Sequence, residues 1–139
     1  MKQYKQKQYA GVWLDNDKAM IITNALGDHV TNFAIQDKLE AREAHGGGSE
    51  HSMNSSKQAD SLKYFKALSS LLLNYDEILV FGPGKSQEQF RNHLQKDAQF
   101  SSKKITIDSA EHLTDPQMIA KVRDFFESRP SYLFKTALF

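Results

Sequence analysis

One mixed five-stranded sheet covered by helices is the fold class that three features of this 139-residue chain predict. Three short apolar runs separated by turn residues open the chain, and three amphipathic helical patterns follow. The two later apolar runs alternate with those helices. The resulting order, β-β-β-α-β-α-β-α, joins a hairpin-linked antiparallel half to a half whose strands should pair in parallel.

The elements follow in order. Tyr9 to Leu14 and Lys18 to Asn24 are apolar runs divided by Asp15-Asn16-Asp17, residues that favour turns through side-chain to backbone hydrogen bonds. Leu26-Gly27-Asp28 supplies a second turn, and Val30, Phe33 and Ile35 give a third strand with imperfect alternation. A polar, Gly-rich loop then occupies residues 37–55. Ser55-Ser56-Lys57-Gln58 offers a capping box ahead of a helix reaching Leu73, with Leu62, Phe65, Leu68 and Leu72 on one face. Glu77 to Phe81 is a continuous apolar strand running into Gly82-Pro83-Gly84. Ser86-x-x-Gln89 starts a second helix that buries Phe90 and Leu94. Lys104 to Asp108 alternates as a strand, and Thr114-Asp115-Pro116-Gln117 combines a capping box with an early proline. The third helix carries Ile119, Val122, Phe125 and Phe126 and ends near Ser128.

Length and composition predict a single domain over 1–139, with a basic N-terminal arm at 1–8 and an aromatic tail at 129–139. At 40% hydrophobic and 25% charged the composition is that of a soluble globular protein, and no apolar run approaches a membrane span. No membrane partner is expected. Zero cysteines exclude disulfides and thiol catalysis, and no signal-type apolar region follows Met1, so cytoplasmic residence is the expectation. The formal net charge of +1 does not announce a nucleic-acid binder. Its distribution says more, because Lys2, Lys5 and Lys7 all precede the first acidic residue, Asp15, and form an arm able to touch phosphate.

Three consecutive glycines in His45-Gly46-Gly47-Gly48-Ser49-Glu50-His51 cannot sit inside a helix or strand without a large entropic cost. They mark an exposed contact loop or a linker. Such a loop before Ser56 to Leu73, Ala19-Met20-Ile21-Ile22 in the second strand, Ile78-Leu79-Val80-Phe81-Gly82-Pro83-Gly84-Lys85, and the following helix with Gln89-Phe90-Arg91-Asn92-His93-Leu94 together resemble the middle domain of archaeal and eukaryotic peptide-chain release factors and of Pelota. The likeness spans Tyr9 to Glu127 and implies a ribonuclease H-like architecture in its ribosomal-protein and release-factor variant. It implies the ribosome or tRNA as partner, with contacts through Gly46, Gly47, Gly48, Ser49, Lys2, Lys5, Lys7 and Lys85. In release factors the loop carries Gly-Gly-Gln, whose glutamine positions the hydrolytic water. Here Gly48 or Ser49 stands in that place, so the resemblance implies a Pelota-like factor with no catalytic residue and no cofactor.

Gly84-Lys85-Ser86 after a strand invites a phosphate-loop reading, but Leu79 holds the position where the first glycine is required. A metal-dependent nuclease on this architecture would need converging carboxylates, for which Asp15, Asp17 and Asp108 are the strand-end candidates. His45, Glu50 and His51 lack a fourth ligand and are spaced by glycines, so no metal site is expected. A third reading is self-association, a homodimer through the tail residues Tyr132, Leu133, Phe134, Leu138 and Phe139.

Overall fold

The computed structural model describes residues 7–24, 33–41 and 53–127, with side chains in the last stretch from residue 61 onward. The elements are β1 (Tyr9–Leu14), β2 (Lys18–Thr23), β3 (Ala34–Glu40), α1 (Met53–Ser70), β4 (Glu77–Gly82), α2 (Ser86–Gln95), a 3-10 turn (Ala98–Phe100), β5 (Lys104–Ser109) and α3 (Asp115–Glu127). They form one five-stranded sheet in the order β3-β2-β1-β4-β5. β1 and β2, and β2 and β3, pair antiparallel, whereas β1 and β4, and β4 and β5, pair in parallel. The mixed α/β architecture expected from the order of elements is therefore the observed one.

Side chains alternate across the pleat, so each strand supplies two cores. On one face Val12, Leu14, Ile21, Ile78 and Val80 pack with Tyr64, Leu68 and Leu72 from α1 and its following turn, and with Phe90 and Leu94 of α2. On the other, Tyr9, Trp13, Ile22, Leu79 and Phe81 meet Met118, Val122 and Phe126 of α3. A Cβ at Gly11 would run into Val122, so glycine lets α3 lie directly on β1. Phe126 stacks between Tyr9 at 4.7 Å and Phe33 at 5.8 Å between ring centroids, adding aromatic contact to simple area burial. Every residue of β4 is buried, which explains its unbroken apolar run.

Two expectations are corrected. The third strand lies at Ala34–Glu40, so Asp37 to Glu40, assigned above to the loop, belong to the sheet. It is an edge strand with mostly exposed or half-buried residues, and its charges read as loop, yet its ladder to β2 holds it in place. The first helix starts at Met53, and its packed side is Tyr64, Leu68 and Leu72 rather than a face including Leu62, which is 46% exposed. The second helix starts at Ser86 and buries Phe90 and Leu94 as expected; Lys85 is its N-cap without a side-chain cap bond, and the Ser86 hydroxyl donates to Asn16 Oδ1 at 2.6 Å. By contrast, the Thr114 capping box forms reciprocally, with Gln117 N–H donating to Thr114 Oγ1 at 3.3 Å and Thr114 N–H to Gln117 Oε1 at 2.9 Å.

Candidate functional site

Parallel pairing places the carboxyl ends of β1, β4 and β5 along one sheet edge, and the β2–β3 register, with Lys18 opposite Glu40, brings the exit of β3 to that same edge. At its centre is the β1–β2 hairpin tip. Asp15 Oδ1 accepts from the N–H groups of Asp17 and Lys18, both at 2.8 Å, so the turn is fixed by its own carboxylate as expected of an Asx residue.

Three neighbours fasten this tip. Tyr64 of α1 donates its hydroxyl to the Asp15 carbonyl at 3.2 Å, Ser86 of α2 donates to Asn16, and the N–H of Ala41 donates to the Asp17 carbonyl at 2.8 Å. Burial, followed by the nearby charges of Asp15 and Asp17, raises the Tyr64 pKa far above the phenolic range, so the hydroxyl stays a donor. Beside the tip, Gly82 has φ +154 and lies so close to β1 that a Cβ would fall on the Leu14 carbonyl oxygen. Gly84, at φ +69, completes the turn that delivers Lys85 and the α2 N-terminus to the edge.

The edge is also where the glycine loop is rooted. Its upstream root, Ala41, is tied to the hairpin tip. Downstream, α1 is fastened to that tip at Tyr64 but begins at Met53. At 1.5 Å per residue its first turns stand off from the tip by roughly 16 Å. Gly46, Gly47, Gly48, Ser49, Lys2 and Lys5 lie outside the described residues, as do His45, Glu50, His51 and the aromatic tail. Lys85 is exposed at the edge just described. Lys7 sits at the opposite edge, before β1, where it lines a cleft of about 330 Å³ with Asp76, Glu77, Ser102 and Lys104. A six-residue strand separates the two lysines, roughly 20 Å, so they do not form one patch.

The carboxylates weighed for metal chemistry do not converge. Asp108 reaches the same edge as Asp15 but stands two strands away, roughly 10 Å, with β4 between. Its Oδ2 accepts from Lys121 Nζ at 2.9 Å and its Oδ1 from Ser109 N–H at 2.8 Å. The hydrogen bond from Lys121 is the main cause holding the Asp108 pKa below the ordinary carboxylate range, against the opposing effect of burial. Among the described residues no three acidic, histidine or cysteine side chains are arranged to hold a metal ion. Nor is any described helix long and apolar enough to cross a membrane. Leu79, which broke the phosphate-loop pattern, is a fully buried core residue of β4.

Sequence reading did not find the clasp of Asn16, Tyr64 and Ser86. The bonds join residues 49 and 70 positions apart, and nothing local to any of them signals the partner.

No protein-family model and no curated protein sequence matches the chain. Among solved structures it is similar to Pelota of Thermoplasma acidophilum, with TM-score 0.54 and 18% identity over 89% of this chain and 33% of that one. It is also similar to Pelota of Archaeoglobus fulgidus, with TM-score 0.60 and 9% identity over 96% of this chain and 35% of that one. The archaeal translation termination factor aRF1 aligns with TM-score 0.47 and 13% identity over 94% of this chain and 42% of its own. The chain spans about a third of the length of the two Pelota structures. In fold, the chain is a Pelota-like domain, as its motifs implied.

Proposed function

We propose that this is a non-catalytic, cytoplasmic, translation-associated protein that binds the ribosome or tRNA through Gly46, Gly47, Gly48 and Ser49, with Lys85 and the arm lysines Lys2, Lys5 and Lys7 supplying phosphate contacts. The observation that carries the reading is the anchorage of the glycine segment. Its upstream root, Ala41, is bonded to the hairpin tip, α1 is bonded to that tip at Tyr64 with its first turns standing off, and Lys85 is exposed at the same edge. A Gly-rich backbone is suited to close approach to an RNA surface, because no side chain intervenes. With Gly48 or Ser49 in place of glutamine, the contact supplies no amide to orient a water, so binding without hydrolysis is the activity expected.

Co-sedimentation of the tagged protein with ribosomal particles across a salt series tests this. Binding should weaken steeply with salt, and each lysine-to-glutamine change that removes a phosphate contact should lower the slope by about one unit. Absence from ribosomal particles and from tRNA at low salt overturns the reading. So does release of peptide from peptidyl-tRNA above background that is lost on Gly47→Ala.

A further inference from the structure

The two sheet edges differ. β3 is joined through a register shift between Ile21 and Ile22, an irregularity of the kind that blunts an edge. β5 pairs with β4 residue for residue from Lys104 to Ser109, and among the described residues no strand lies on its outer side.

The direction of its backbone groups follows from two hydrogen bonds. Lys104 N–H donates to the Asp76 carbonyl at 3.2 Å and Ala110 N–H to the Gly82 carbonyl at 3.0 Å, so even-numbered residues of this strand turn their backbone toward β4. By the strand alternation, Ile105, Ile107 and Ser109 turn theirs outward. Ser109 N–H is taken up by Asp108 Oδ1, leaving the outward N–H and C=O groups of Ile105 and Ile107 as the pairing positions.

We propose that this edge pairs with the same edge of a second copy of this chain, antiparallel about a two-fold axis through Thr106. In that register Ile105 faces Ile107 of the other copy as a hydrogen-bonded pair, and the reciprocal pair doubles it, using every outward group of the two isoleucines. Both isoleucines are half-buried in the single chain. Lys104 faces Asp108 of the other copy on the opposite side of the sheet; both residues are exposed, and Lys104 would be a second cation beside an Asp108 carboxylate already paired with Lys121 of its own chain. Moving the register by one step either way sets Lys104 against Thr106 or Ala110, so charge selects the register centred on Thr106.

The flank of α2 adds a second observation. Arg91 lies nearly opposite His93 around the helix, at about 100° per residue. His93 contacts Phe65 of α1, with ring centroids 5.7 Å apart, which puts Arg91 on the side of α2 facing the β5 edge. Its Nε is buried without an acceptor, as is Gln87 Oε1 without a donor one turn earlier. The flank over this edge therefore carries polar groups that nothing among the described residues satisfies. The inference is independent of ribosome binding and uses no residue of the aromatic tail.

Sedimentation equilibrium of the full chain from micromolar to millimolar concentration provides the test, with folding of each variant checked by circular dichroism. The wild type should be a reversible dimer. Ile107→Pro removes an outward N–H that the monomer ladder does not use, and should raise the dimer Kd by about tenfold or more. Lys104→Asp alone and Asp108→Lys alone should each weaken the dimer, and the double exchange K104D/D108K should restore it. The amides of Ile105 and Ile107 should gain hydrogen-exchange protection as concentration rises. A chain that is monomeric throughout, a dimer indifferent to Ile107→Pro, or protection of those amides at dilutions where the chain is monomeric overturns the proposal.

Discussion

A methyl group added at residue 82 and one added at residue 84 would have different consequences. At Gly82 both the positive φ and the Leu14 carbonyl oppose a Cβ, and the obstruction is backbone that cannot turn aside. Gly82→Ala should lower unfolding free energy by roughly 3 kcal/mol in a denaturant titration. At Gly84 nothing lies within 4 Å, so only the left-handed backbone resists and Gly84→Ala should cost about 1 kcal/mol. Ser86 is 4% exposed and tied to Asn16, so Ser86→Ala removes one hydrogen bond and should cost about 1 kcal/mol. The two glycines were legible as a turn in the dipeptides around Pro83, but which of them is locked against β1 was not. That difference resides in a strand more than 60 residues earlier in the chain.

At the scale of elements, α1 shows where periodicity succeeds and where it misleads. Leu68 and Leu72 lie about 40° apart around the helix and are buried, whereas Leu62 lies about 120° from Leu68, on the border of that face, and is exposed. Leu68→Ala should therefore cost 2–5 kcal/mol, in the range of about that expected for emptying a core site. Leu62→Ala should stay within about 0.5 kcal/mol, and chemical denaturation of the pair separates the two. The cap of α3 was readable because both partners lie within four residues, and Thr114→Ala should cost about 1 kcal/mol. His93 belongs to the α1–α2 interface, with Phe65 and Phe90 beside it. Burial lowers its pKa below the ordinary value of 6.5, outweighing the opposing pull of Asp97. The unfolded chain thus takes up this proton first as pH falls, so the contribution is complete above the ordinary value and declines below it. The melting temperature should drop between pH 7 and pH 5, and His93→Gln should flatten that part of the profile.

For the whole molecule, the order of elements was sufficient to reach the mixed sheet. Hairpin turns imply antiparallel neighbours, and helical crossovers imply parallel ones. Less legible was the edge strand β3. Its solvated face and charges, Asp37, Lys38 and Glu40 among them, imitate a loop, and only the ladder to β2 distinguishes it. The Asp15 turn was legible from its residue types, whereas the edge on which Lys85 lies was not. The sequence places Lys7 and Lys85 in one list of cations, while the fold puts them at opposite ends of adjacent parallel strands.

The hairpin tip has one more consequence, which concerns chain length. Because Ala41 and Tyr64 are both bonded to residues of that tip, the chain between them, which includes the first turns of α1, has both ends fixed by the rest of the molecule. The entropic cost of closing such a loop grows only with the logarithm of its length, about 0.6 kcal/mol for each doubling. The folded body is thus nearly indifferent to how much chain the two anchors carry. Glycine and serine inserted after Gly48 until the segment is twice as long should lower unfolding free energy by about 0.6 kcal/mol, measured by urea titration. The length of this segment is then a quantity that insertion and deletion can change while the two cores stay as they are.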